Sequence, residues 1–174
     1  MNPEQVSLST SSDSSVPDFL AKRLDEIKNE ISIVQIGSNI YSINVNDELK
    51  SKGLVISSLD DALQSHSELI QKTLEDSNSK EDKYTALNNA AFNSGIFVYI
   101  PQNLTVDKPI HLVSCLSLDG ISTISRNMII AEKNMQASVV QELYAPKASK
   151  QQAYLELLDT RVGENSKLDF TTLQ

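Results

Sequence analysis

The sequence predicts an α+β chain: a small helical and mixed N-terminal region, followed by short strands stacked as a solenoid-like sheet. Three observations predict it. Apolar residues fall at helical spacing in much of the chain up to Gly95 and in short β-like runs after it. Ile96, Phe97, Val98, Tyr99 and Ile100 form a run without a polar break, so this strand expects cover on both faces. Asn103, Asn134 and Asn165 recur at intervals of 31 residues, each shortly after an apolar run. Three positions before each stand Ile100, Ala131 and Val162, and three after stand Val106, Ala137 and Leu168. Repetition of apolar positions in register is what stacked units need, and Asn tolerates the left-handed backbone of a corner.

Each element follows from local chemistry. Residues 1–15 are polar and Ser-rich with nothing to bury, and read as a disordered tail. Ser15 and Pro17 mark a helix start, and Leu20, Leu24 and Ile27 share one face of a helix ending near Glu30. Ile31 to Ile36 and Ile40 to Val45 read as strands joined by a turn at Gly37, Ser38 and Asn39. Leu54 to Ile56 is a further short strand. Ser58 and Asp61 form a weak capping box, opening a helical stretch through Leu59, Leu63, Leu69, Ile70 and Leu74 that breaks near His66 and Ser67. Residues 76–83 are a charged linker. Tyr84, Leu87 and Ala91 share a face of the next helix, with Gly95 as its left-handed cap. Beyond it the predicted strands are Ile96–Ile100, Ile110–Leu118, Met128–Ile130, Val139–Leu143, Tyr154–Leu158 and Leu168–Thr172. The chain thus divides into a tail (1–15), a helical and mixed region (16–95) and a stacked β region (96–174).

Formal net charge is −8, and the acidity sits in the front: residues 1–95 hold 15 acids against 8 bases. No basic stripe is available to neutralise phosphates, which argues against nucleic-acid binding. The single cysteine, Cys115, can form no internal disulfide and fits a reducing compartment. The N-terminus has neither the basic cluster nor the apolar run of a signal peptide, and no window approaches the ~20 apolar residues of a membrane span. The expected location is the cytoplasm, without membrane association.

The segments GLVISSLDDAL, ALNNAAFNSGIFVYIP, RNMIIAEKNMQASVVQE and RVGENSKLDFTTLQ, in this order and spacing, resemble the SufB/SufD family of iron–sulfur cluster assembly proteins. SVPDFLAKRLDEI is similar to that family's opening helix, so the likeness covers roughly residues 14–174. The lean front end, without long insertions, looks more like SufD. The resemblance implies that residues 96–174 are the first coils of a right-handed parallel β-helix, here truncated. It also implies a C-terminal helical domain, beyond this stretch, that binds the ATPase subunit SufC. The cluster-handling residues of the family lie in later coils, and no position here matches them.

Candidate chemistry in the residues themselves is thin. Cys115 invites an iron–sulfur reading because thiolates bind such clusters. His111 lies four residues earlier, but on one strand the two stand about 13 Å apart at ~3.3 Å per residue and cannot share a metal. A structural thiol is the favoured reading. His66 reads as a surface or capping residue. Asp60 and Asp61 favour a helix N-terminus, and Glu81 and Asp82 belong to the linker. Arg126 and Arg161 each precede an apolar run and are expected to pair with acids at corners. There is no phosphate loop, GxSxG, HExxH or CxxC, so no catalytic, cofactor-binding or metal residues are assigned. The leading expectation is a non-catalytic, SufD-like scaffold with SufB-like and SufC-like partners, with an iron–sulfur cluster only in the full assembly. A β-helix enzyme acting on polysaccharide or acyl substrates, and a cofactor-free interaction module, are the alternatives. An open apolar end near Leu168–Thr172 predicts self-association.

Overall fold

In a computed structural model of the chain, the structure describes residues 16–76, 82–116, 122–145 and 152–174. The predicted tail, Ser15, Glu81 and the end of the strand expected at Ile110–Leu118 lie outside the described residues. In chain order the elements are α1 (Asp18–Ile27), β1 (Ile31–Ile36), β2 (Asn39–Asn44), α2 (Asp47–Ser51), β3 (Val55–Ser58), α3 (Leu59–Ser65) and α4 (Ser67–Asp76). There follow α5 (Lys83–Ala91), β4 (Ile96–Ile100), β5 (Ile110–Cys115), β6 (Thr123–Ala131), β7 (Gln136–Tyr144), β8 (Tyr154–Val162) and β9 (Lys167–Leu173).

The strands lie in two sheets, ordered β2-β1-β5-β7-β9 and β3-β4-β6-β8. Both are mixed. β1 pairs antiparallel with β2 and parallel with β5, and β3 pairs antiparallel with β4, which pairs parallel with β6. This corrects the predicted fold class. The chain is not an α+β protein whose helical front precedes the first coils of a right-handed parallel β-helix. It is an α/β arrangement of two mixed sheets with helices against them, and among the described residues no sheet is closed or coiled. The physical reason lies in the front half. β1 and β3 come from residues 16–95, yet each joins a sheet built mainly from later strands. The reversed strands β2 and β3 then end one side of each sheet.

The repeat itself is structural. β6 pairs with β8 and β7 with β9 in registers such as Met128↔Asp159 and Gln136↔Lys167. Asn103, Asn134 and Asn165 all have positive φ (63°, 59° and 56°), as expected for turns that only a few side chains tolerate. Their turns bond to one another: Asn103 N–H donates to the Lys133 carbonyl at 3.0 Å, and Asn134 N–H to the Glu164 carbonyl at 2.9 Å. Asn134 Nδ2 also donates to Asn103 Oδ1 at 3.1 Å.

The main core lies between the sheets. Ile31, Ile33, Ile110, Leu112 and Val139 meet Ile56, Ile96, Val98, Ile100 and Ile129, all buried. Helices cover the outer faces. Leu20 and Ile27 of α1 pack on Val34, Ile36, Val113 and Cys115, while Leu59, Ala62 and Ile70 of α3 and α4 pack on Phe97, Met128 and Ile130. β4 therefore has apolar contacts on both faces, as its composition demands. Burying a side chain such as Leu20 contributes about 2 kcal/mol.

Local signals behave as their chemistry dictates, with two exceptions. Ser58 caps α3 by accepting from Asp61 N–H at 3.0 Å, and the helical stretch breaks at His66. The short α2, absent from the sequence reading, is capped by Asn46, which accepts from Leu49 N–H at 2.8 Å. The first exception is α5, whose Tyr84 and Leu87 face outward while Asn88 is buried. Asn88 Nδ2 donates to the Ser125 carbonyl at 2.8 Å, so a polar anchor rather than the apolar stripe sets that helix's orientation. The second is Gly95, which is not a left-handed cap. A Cβ there would stand 2.2 Å from the Arg126 carbonyl oxygen and 3.0 Å from Leu59 Cβ, so glycine is required by close approach of β6 and α3.

Candidate functional site

Buried charge gathers where helices dock on the sheets. Arg23 sits in the apolar stripe of α1, three residues after Leu20 and four before Ile27, so it meets the outer face of the five-stranded sheet. There its Nη2 and Nε donate to Oε1 and Oε2 of Glu142 on β7 at 2.6 and 2.8 Å, a fork of two parallel bonds. Tyr144, two residues on and therefore on the same face, donates its hydroxyl to Glu142 Oε2 at 2.7 Å. His111 of β5 brings Nδ1 to 3.1 Å from Glu142 Oε1. The Glu142 side chain is only 3% exposed. Burial pushes its carboxyl up, but hydrogen bonds from Arg23, Tyr144 and His111 and the Arg23 charge outweigh this and hold it at about 2. Burial, then the bond to Glu142, pushes the Tyr144 phenol up to about 12. A carboxylate so weakly basic, with both oxygens already accepting, is a poor proton acceptor; the cluster is a clamp on α1.

A second pair fixes α5. Arg126 of β6 donates from Nε to Asp159 Oδ2 of β8 at 2.8 Å, and from Nη1 to Asn89 Oδ1. Both charged side chains are almost fully buried. A third cluster, around Glu156 of β8, lies between the sheets. Its carboxylate accepts from Asn127 Nδ2 at 3.0 Å, from the Tyr154 hydroxyl at 2.9 Å, and from Gln141 Nε2.

The residues singled out in the sequence are scattered. Cys115 is buried beside Leu20, Ile27 and Val34, and burial pushes its thiol up to about 11. Its Sγ contacts only the Leu116 carbonyl, at 3.5 Å, among the hydrogen bonds described. His111 engages Glu142 and Arg23 rather than converging with Cys115. His66 lies against Phe97 and Tyr99, with ring centroids at 5.4 and 6.0 Å, and edges an open depression with Ser65, Ser67, Glu68 and Lys72. Asp60 and Asp61 occupy the first turn of α3. Asp82 caps α5, and the backbone N–H groups of Thr85 and Tyr84 lower its carboxyl. Arg126 pairs in mid-strand, not at a corner, and Arg161 lies half-buried on β8 opposite Ile130. Among the described residues no three His, Cys, Asp or Glu side chains are placed to hold a metal ion. Among the described residues no helix is long and apolar enough to cross a membrane.

Sequence reasoning missed Arg23, Glu142, Tyr144, Asp159 and Glu156. Arg23 carried a signal, a charge inside an apolar helical stripe. The acids carried none, because their partners are remote in the chain.

Comparison with known proteins adds independent information. A family model described as the SufBD protein N-terminal region matches residues 24–112. Iron-sulfur cluster assembly SufBD family proteins of Staphylococcus aureus (strains USA300 and MRSA252) and of Staphylococcus saprophyticus are each 26% identical to the chain over 141 residues. The alignments cover 80% of this chain and 30% of each relative, so the chain spans less than a third of their length.

Proposed function

Because the chain belongs to the SufBD family, through that family's N-terminal region, we propose that it acts in iron–sulfur cluster assembly as a non-catalytic, SufD-like scaffold. On this reading it works in the cytoplasm, in a complex with SufB-like and SufC-like subunits. The family match is the observation that carries the reading. The geometry supports it: the ion pairs of Arg23 with Glu142 and of Arg126 with Asp159 fasten helices to sheets rather than converge on a reactive centre. The cluster is cargo here, and the described residues do not fit it as ligands. Cys115 is closed in by aliphatic side chains with its thiol pushed up, and His111 is engaged with Glu142.

Co-purification of the intact protein with SufB-like and SufC-like subunits tests the assignment. Stable recovery with both is expected, and a folded protein that associates with neither overturns it.

A further inference from the structure

The space between the sheets is aliphatic at one end and polar at the other. On β1, Ile31 and Ile33 give way to Gln35; on β5, Ile110 and Leu112 to Ser114; on β7, Ala137 and Val139 to Gln141. In the facing sheet Ser125 and Asn127 precede Ile129 on β6, and Tyr154 and Glu156 precede Leu158 on β8. Alternation along each strand keeps these positions on the inward face. The hydrogen bond from Gln141 to Glu156 joins the two polar ends across the gap.

Several oxygens there lack a proton to accept. Glu156 offers about four lone-pair sites and receives three bonds, all from neutral groups. Tyr154 and Ser125 donate their protons to Glu156 Oε2 and Asn127 Oδ1, and the hydroxyls of Ser114 and Ser125 lie within reach of the Tyr154 oxygen. Ser114 Oγ, on a residue 2% exposed, completes no hydrogen bond, though it stands near the Tyr154 phenol. Among the described residues, the buried Oε1 of Gln35, a residue next to Ser114 in the sheet and 1% exposed, has no donor, and the buried hydroxyl of Ser94, whose backbone pairs with Ser125, has no partner. Burial, the Glu156 charge and the bond to Glu156 raise the Tyr154 phenol, against the pull of Ser114 and Ser125, so it remains neutral.

Water could supply protons to these oxygens, but among the described residues no cationic side chain pairs with Glu156, so its charge is left to solvent or to a bound ion. An all-oxygen donor set without thiolate or imidazole suits a hard cation. One carboxylate among neutral oxygens balances one positive charge, not two. We infer that the polar end of the inter-sheet space binds a single monovalent alkali cation through oxygens of Glu156, Tyr154, Ser114 and Gln35. Glu156 is half-buried on the edge strand β8, which gives the ion a way in. This inference does not depend on the role in cluster assembly.

The test is thermal unfolding of the 174-residue chain in KCl or NaCl, with tetramethylammonium chloride holding ionic strength constant. A rise of about 4 °C is expected at roughly tenfold above the dissociation constant of the preferred ion, growing logarithmically with ion concentration beyond it. Glu156→Gln should abolish the rise. Ser114→Ala, which keeps the carboxylate, should shift half-saturation several-fold higher and guards against a Gln variant that fails to fold. Identical melting in all three salts, or an undiminished rise in Glu156→Gln, overturns the inference.

Discussion

Replacing Arg23 by Met keeps much of the side chain's length and removes its guanidinium, stranding the Glu142 carboxylate beneath α1. The size of the effect follows from the carboxyl itself, lowered from an ordinary 4.5 to about 2. Each pKa unit is worth about 1.4 kcal/mol, so the clamp contributes roughly 3 kcal/mol at neutral pH. That lies at the low end of the ~3–5 kcal/mol typical for breaking a buried pair, in keeping with Arg23 being partly open to water. The sign is fixed by the direction of the shift. A carboxyl lowered on folding stabilises the native state fully above about pH 4.5, and that share is lost as pH falls toward 2. Urea unfolding followed by circular dichroism at pH 7 and at pH 3 reads both quantities. Arg23→Met should lose about 3 kcal/mol at pH 7, or roughly 6–12 °C in Tm for a chain of this size. It should also lose much of the acid sensitivity, because Arg23 is the largest of the contacts that hold Glu142 below its ordinary range. The double variant Arg23→Met/Glu142→Leu should recover most of the stability, since an apolar pair can replace a buried ion pair at little cost. A loss below about 1 kcal/mol with unchanged pH dependence would refute the reasoning.

Other outcomes follow from single contacts. Gly95→Ala drives a methyl into the Arg126 carbonyl and should cost about 3 kcal/mol or more, measured by chemical denaturation; a neutral result would mean that β6 can retreat. Asn134→Ala should cost about 1–2 kcal/mol because its φ is 59°, whereas Asn134→Gly should recover the backbone share and lose only the bond to Asn103. Cys115 should react with iodoacetamide at pH 8 about 100-fold more slowly in the native chain than in urea, from its raised thiol alone. Equal rates in the two states would show that α1 lifts readily from the sheet.

The parts of this fold legible in the sequence are those whose causes are local. The turn asparagines could be found because few residues accept a left-handed backbone, and Ser58 because its hydroxyl meets a nearby amide. The apolar run of β4 announced cover on both faces. What could not be read depends on remote partners. Nothing near Ile31 signals pairing with Ile110, so the front strands were not seen to belong to the later sheets. The face of α5 was inverted because Asn88 is anchored by a carbonyl on β6, against the pull of Tyr84 and Leu87 toward burial. Glu142 gave no hint of its role until α1 placed Arg23 over it. Gly95 drew attention for the wrong reason, since its constraint is the neighbour's backbone and not its own.

The pairing of β1 with β5 has a consequence for synthesis. Emerging from the ribosome, residues 31–44 can close their hairpin at once, but residues 110–115 arrive much later. Until then one edge of β1 stays unpaired, with Ile31, Ile33, Val34 and Ile36 lacking much of their eventual cover. The nascent chain should be most prone to aggregation, and most in need of a chaperone, in that interval.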